Sequence, residues 1–237
     1  MRFFIGDREI LFEEFEEVLP EEAKLLQQGL ASKALLQVDQ NSRLSLLSSF
    51  SGPVSLKPEA ELSYHKKYFF KNSIYSQPLA KALGIKKGKP KPKVLDASAG
   101  TLKDSALIIS MGCLVLAAER NPVAQALIFN ALNRKEIPGL EFVPEDAGDL
   151  INERQDFDVI FFDPMYEQKN EKAAPRKQMR IFREVVSLDT DAKESAVLFR
   201  KTGKRLVLKR SSKGDPLLPN PDMSFGQKST LYDVYLG

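Results

Sequence analysis

The stretch Asp163-Pro164-Met165-Tyr166 places an anionic acceptor, a stiffened backbone carbonyl and an aromatic ring within four residues. That set suits a planar amino group, which is a poor nucleophile because its lone pair is delocalised. The Asp163 carboxylate and the Pro164 carbonyl would accept from its two N–H groups, orient the nitrogen and favour its pyramidal form. Proline stiffens the turn that presents them. Tyr166 offers a face for an unstacked base, a contact worth about 1–3 kcal/mol. Taken alone, Asp-Pro after a strand is as often a simple turn, with the tyrosine packed on a sheet edge.

Asp163 needs an element to hold it. Asp158 is followed by Val159-Ile160-Phe161-Phe162, an unbroken apolar run of the kind buried on both faces of a parallel sheet. Ligands of open α/β sheets sit beyond the carboxyl ends of the strands, where Asp163 falls. Strands are predicted at 94–95, 114–118, 140–143, 158–162 and 205–209, with helices at 102–111, 123–133, 178–186 and 192–201. The alternating tail 231–236 is expected to pair antiparallel at the sheet edge. The fold class is therefore α/β, a doubly wound Rossmann-like domain.

Upstream, 75–83 reads as a short helix ended by Gly84, and the Lys/Pro run 86–93 as a linker or loop. Residues 1–68 read as a small α+β domain. It has a hairpin over 2–12, an acidic helical stretch and a strand pair at 35–38 and 43–47, then breaks at Ser51-Gly52-Pro53 and Lys57-Pro58. The predicted domains are 1–68 and 69–237.

The first strand of the larger domain leads into Asp96-Ala97-Ser98-Ala99-Gly100-Thr101-Leu102-Lys103-Asp104, where a nucleotide fingerprint belongs. Of the three fingerprint glycines only Gly100 is present, so close approach to a pyrophosphate is not provided and NAD or FAD is disfavoured. S-adenosylmethionine carries a sulfonium and an amino-acid tail but no phosphate, and a small-residue turn bounded by acids suits it better. Glu119, at the end of the second strand, is placed to accept from both ribose hydroxyls. Asp146, after the third strand, is placed to accept from the adenine amino group. Each acid alone is a common surface feature; their order at successive strand ends carries the reading.

Composition narrows the chemistry further. One cysteine, Cys113, and one histidine, His65, leave little from which to build a multi-ligand metal site or a nucleophile–histidine relay, so no metal is expected. A lone cysteine excludes an internal disulfide and fits a reducing cytoplasm. No apolar run approaches the roughly 20 residues that span a bilayer, and Met1 to Asp7 lack a hydrophobic leader core. The net charge of +3 conceals an acidic start, eight acids against two arginines in residues 1–23. Nine lysines and no acid occupy 64–93, seven basic residues and no acid 199–214, and six basic residues against Glu171 lie in 169–183. One such run is usually a solvated face, but three around one candidate site favour a polyanionic partner. Lys169, Lys172, Arg176, Lys177, Arg180 and Arg183, together with Lys209, Arg210 and Lys213, are the cations expected to follow the phosphates of such a partner.

Four blocks, Asp96-Ala97-Ser98-Ala99-Gly100, Glu119-Arg120-Asn121-Pro122-Val123, Asp163-Pro164-Met165-Tyr166 and Lys177-Gln178-Met179-Arg180-Ile181-Phe182, together resemble the bacterial small-subunit (16S) ribosomal RNA guanine-N2 methyltransferase J family. The resemblance runs from about residue 35 to the end, in family order. It implies a class I methyltransferase domain behind a small N-terminal domain, S-adenosylmethionine as cofactor, and the exocyclic amine of a guanine in ribosomal RNA or the small subunit as acceptor. It places cofactor contacts at Lys103, Asp104, Glu119, Arg120, Asp146, Ala147 and Asp163. His65-Lys66-Lys67 resembles a family His-Arg-Arg stretch on the RNA side. Two departures stand out. Gly100-Thr101-Leu102-Lys103-Asp104 replaces Gly-Leu-Gly-Arg-Asp, and Phe70 to Tyr75 replace a glycine-rich segment. Two alternatives stay open: another planar amine as acceptor (adenine N6 or a glutamine amide), or a catalytically silent RNA-binding protein on the same fold. The oligomeric state stays open as well.

Overall fold

The computed structural model describes residues 1–27, 34–48, 51–165 and 189–237. The described residues form two units, Met1–Glu59 with Arg120–Ile137, and Ala60–Glu119 with 138–165 and 189–237.

The first unit is built on β1 (Arg2–Ile5), β2 (Arg8–Ile10), β3 (Leu35–Val38), β4 (Leu44–Ser48) and β5 (Ser51–Val54), in the order β2-β1-β3-β4-β5. Gly6, at φ 57°, supplies the tight turn of the β1–β2 hairpin. The acidic stretch divides at Pro20 into α1 (Phe12–Val18) and α2 (Pro20–Leu26), because proline is accepted at the first position of a helix. Phe15 of α1 is fully buried, 4.6 Å from the Phe3 ring. Ser51-Gly52-Pro53, expected to break the pattern, lies in β5. That strand is at the sheet edge, where a missing N–H is tolerated.

Helix α6 (Pro122–Arg134) belongs to the same unit. Its buried Asn130 accepts from the Leu44 N–H at 2.8 Å and donates to Glu22 at 2.8 Å and to the Ser42 carbonyl at 3.0 Å. Those bonds satisfy a polar group and a carboxylate that are otherwise costly to bury.

The second unit opens with α3 (Pro58–Lys71), which crosses residue 68, whereas the compact units divide at Glu59. A 3-10 turn (Ile74–Ser76) and α4 (Pro78–Ala82) follow, and Gly84 ends α4 at φ 77°. The sheet comprises β6 (Lys93–Asp96), β7 (Leu114–Ala118), β8 (Leu140–Val143), β9 (Val159–Phe162), β10 (Arg205–Ser211), β11 (Met223–Gln227) and β12 (Thr230–Tyr235). Its order is β11-β12-β10-β9-β6-β7-β8, parallel from β10 to β8 and antiparallel at β12 and β11. The tail strand is thus not at the edge as expected: β12 lies between β10 and β11. The expected helix at 178–186 lies outside the described residues.

Helices α5 (Lys103–Ser110), α7 (Ala147–Glu153) and α8 (Ala192–Arg200) alternate with the strands. Leu95, Leu116, Ile160, Phe162, Leu206 and Leu208 form one core with side chains of α7 and α8, among them Phe199, edge-on to Phe162 at 5.1 Å. Full burial of each such side chain stabilises by roughly 1.5–3 kcal/mol. From β6 the chain adds β7 and β8 on one side, then returns to add β9 and β10 on the other. The strand order therefore reverses between β6 and β9, the position at which open α/β sheets bind ligands. Asp96 ends β6, and Asp163 follows β9.

Candidate active site

Apolar β6 drives Asp96 into the interior, where it is 1% exposed. Its carboxylate accepts from the Ser98 N–H at 3.2 Å and the Ser105 hydroxyl at 2.5 Å. Burial pushes its pKa from 3.8 up to about 7; the Ser105 bond opposes that, and repulsion from Asp104 and Asp163 adds to it.

The turn after Asp96 joins three strand ends. Ala97 N–H donates to the Phe161 carbonyl at 2.9 Å and Ala99 N–H to the Ala118 carbonyl at 3.0 Å. Gly100, at φ 52°, donates its N–H to Glu119 Oε2 at 2.8 Å, and Ser98 Oγ accepts from the Asp163 N–H at 2.8 Å. Glu119, 8% exposed, is thereby fixed beside the turn.

Leu102 is fully buried at φ 59°, ψ 15°, a left-handed backbone that glycine adopts far more readily than leucine.

Asp104, in the first turn of α5, and Asp163 share one cation. Lys209 Nζ donates to Asp104 Oδ2 at 2.7 Å and to Asp163 Oδ2 at 2.8 Å. Burial acts to lower the Lys209 pKa, but the two carboxylates outweigh it and hold it well above 10.5. Lys209 is thus an internal counter-ion rather than an outward phosphate contact. Arg210 is likewise turned inward, its Nε 2.6 Å from Asp233 Oδ2 with both side chains largely buried. Charge counting along the chain grouped these two with RNA-facing cations, whereas their partners lie 105, 46 and 23 residues away.

Asp146 caps α7, a helix the sequence reading missed, by accepting from the Gly148 N–H at 2.7 Å, and Ala147 is buried beside it. Lys103 is half-buried and Arg120 exposed. Pro164 is buried, and Met165 is held through both backbone groups by Asp189, at 2.6 and 2.7 Å. On α3, Lys66 and Lys67 are exposed, while burial lowers the pKa of His65 against the opposing charges of Glu61 and Asp104. Tyr166, Lys177 and Arg180 lie outside the described residues. Asp96, Gly100, Asp104, Glu119 and Asp163 are therefore gathered into one bonded cluster. Sequence reasoning missed Ser98 and Ser105, although a serine one turn into the helix after a strand-end acid is a readable pattern. Among the described residues no cluster of three His, Cys, Asp or Glu side chains suits a metal, and no helix is long and apolar enough to cross a membrane.

A seven-stranded sheet with its switch between β6 and β9, and acids at successive strand ends, is the fold of class I S-adenosylmethionine-dependent methyltransferases. The family model SAM_MT, of S-adenosylmethionine-dependent methyltransferases, matches residues 19–237. The chain is similar to ribosomal RNA small subunit methyltransferase J of Coxiella burnetii, 38% identical over 170 residues, covering 68% of this chain and 66% of that one. The protein of the same description from Laribacter hongkongensis is 34% identical over 206 residues, covering 81% and 72%. A crystal structure of an S-adenosylmethionine-dependent methyltransferase from Neisseria gonorrhoeae shares the fold, with TM-score 0.63 and 21% identity over 99% of this chain and 95% of that one. The chain belongs to the ribosomal RNA small subunit methyltransferase J family. It spans just under two thirds of the length of the Coxiella relative.

The cofactor of that class is S-adenosylmethionine, and the residues present fit it. Its sulfonium and ammonium are cations, and its hydroxyls and adenine amine are donors. The cluster supplies carboxylates, two of them (Asp96 and Glu119) buried, and a turn of small residues in place of a phosphate cradle.

Proposed function

We propose that the protein transfers a methyl group from S-adenosylmethionine to the exocyclic N2 amine of a guanine in small-subunit ribosomal RNA, in the cytoplasm. The single observation that carries the reading is Asp163 itself. It lies at the switch point with its N–H bonded to Ser98 and one carboxylate oxygen bonded to Lys209. The names of the relatives support ribosomal RNA as the substrate.

When bound, the cofactor supplies an electrophilic methyl group. Glu119 would accept from the ribose hydroxyls and Asp146 from the adenine amine, while Asp96, Gly100, Lys103, Asp104, Arg120 and Ala147 would complete the seat. Lys209, bonded to Asp163 Oδ2, fixes the carboxylate rotamer. Asp163 and the Pro164 carbonyl then accept from the two amine hydrogens and aim the nitrogen lone pair. Tyr166 stacks on the extruded base. Asp163 or solvent takes the proton that leaves the methylated nitrogen. In this reading the unit of Ala60–Glu119 with 138–165 and 189–237 carries the chemistry, with Lys177 and Arg180 along the RNA path.

Calorimetry with S-adenosylhomocysteine tests the seat. One site per chain is expected, weakened about tenfold or more by Glu119→Ala through loss of charge-assisted bonds. No binding by the wild type would overturn the reading.

A further inference from the structure

Helix α3 leaves three large rings in solvent: Tyr64 is 65% exposed, Tyr68 43% and Phe70 90%. Single exposed rings need no explanation, but these occupy one seven-residue stretch, Tyr64-His65-Lys66-Lys67-Tyr68-Phe69-Phe70. Tyr64 and Tyr68, four residues apart, share a helix face. Together with Phe69 they line an open cleft of about 400 Å³, whose apolar lining continues through Leu107 of α5 and Met111 just after it and which also reaches Tyr232 of β12. That volume falls within the range of small-ligand sites.

Position and charge indicate what the cleft takes. Tyr232 is the register partner of Lys209, the residue bonded to Asp163, so the cleft lies beside the proposed amine clamp. Lys228 lines the cleft, and the helix that supplies Tyr64 and Tyr68 also carries exposed Lys66, Lys67 and Lys71, within a segment, 64–93, of nine lysines and no acid. Flat aromatic walls beside these lysines match unpaired bases on a polyanionic backbone. A duplex keeps its bases stacked inside and offers no such faces.

We propose that this cleft is a second base subsite, which takes an unpaired RNA base flanking the target nucleotide, stacked on Tyr64 and Tyr68, while Lys66 and Lys67 follow the adjoining phosphates. The proposal rests on the RNA-methylating reading above and adds to it the path of the strand. Burial keeps His65 largely uncharged at neutral pH, so its ring offers a donor and an acceptor to the same base.

The test is fluorescence anisotropy on the full chain with a single-stranded oligoribonucleotide and a duplex of equal length, each titrated with salt. Replacing both Tyr64 and Tyr68 by alanine is expected to weaken single-strand binding about 5- to 150-fold per stacked base and to leave the salt slope unchanged. Replacing both by phenylalanine keeps affinity within about twofold, because the π-face remains. Lys66→Gln with Lys67→Gln lowers the single-strand slope by about 0.7 for each phosphate that is no longer neutralised. Calorimetry with S-adenosylhomocysteine, unchanged in every variant, reports an intact fold. Wild-type affinity in the alanine variant, or an equal loss on duplex, overturns the proposal. A loss confined to protein-bearing subunits, with naked RNA bound normally, assigns the cleft to a protein and overturns it too. If the alanine variant methylates RNA at an unchanged KM, the subsite alone falls; if the wild type neither binds nor methylates RNA, the functional reading falls with it.

Discussion

Asp96→Asn should remove a pH dependence that the wild type carries in its core. The Asp96 carboxyl is 1% exposed, and burial raises its pKa from 3.8 to about 7. A raised carboxyl pKa means that the folded state holds the proton more tightly than the unfolded chain. Stability is therefore greatest below about pH 4, falls as pH rises through the window from 3.8 to about 7, and is flat above it. The whole window corresponds to roughly 4 kcal/mol, of which roughly 2.5 kcal/mol falls between pH 5 and pH 8. Asparagine is nearly isosteric, keeps an acceptor for the Ser98 N–H, can donate to Ser105 Oγ and cannot ionise.

Urea unfolding of both proteins at several pH values across that interval gives two stability curves, and their difference isolates Asp96 because other groups cancel. The asparagine variant should gain on the wild type by roughly 2.5 kcal/mol from pH 5 to pH 8. Parallel curves, or a wild type that gains as pH rises, would refute the claim that burial outweighs the Ser98 and Ser105 bonds. The same variant should bind S-adenosylhomocysteine more weakly, since a carboxylate kept at this cost in stability is expected at a functional site.

Lys209→Met leaves Asp104 and Asp163 without their shared cation. Breaking such a pair costs about 3–5 kcal/mol, and the low end applies because the two carboxylates keep 24% and 33% exposure. Chemical denaturation reads the loss, and a shift below about 1 kcal/mol contradicts the internal role of Lys209. At Leu102, glycine relieves about 1–2 kcal/mol of left-handed strain that alanine retains, while both leave a cavity of a kind that costs roughly 2–5 kcal/mol. Both variants should therefore be destabilised, with Leu102→Gly no less stable than Leu102→Ala in the same denaturation assay. Asn130→Ala strips partners from the buried Glu22 carboxylate and the Leu44 N–H, and should lower stability by about 2–4 kcal/mol. An effect within about 0.5 kcal/mol, the range of ordinary surface changes, would deny the network that role.

The parallel strands were legible because residues buried on both faces leave unbroken apolar runs, as at Val115 to Ala118 and Val159 to Phe162. The strand-end acids followed from that register. Helix α3 was not legible. Its residues show no apolar stripe, and Pro58, read as a break, is the first residue of the helix. β5 was missed for the same reason at Pro53, since sequence does not say which strand is an edge. Lys209 and Arg210 were misjudged because a charge run is counted along the chain, while ion pairs form across it. The left-handed Leu102 also left no trace, because glycine is what marks such a backbone and glycine is absent there.

Transfer of an isotope-labelled methyl group onto protein-free small-subunit ribosomal RNA, with mass mapping of the product, is the most direct measurement of the amine clamp. Wild-type protein is predicted to methylate a guanine at N2, and Asp163→Ala to slow the transfer by about 100-fold or more through loss of orientation. A methyl group found on adenine N6 or on a protein amide, or full transfer by Asp163→Ala, would contradict the account.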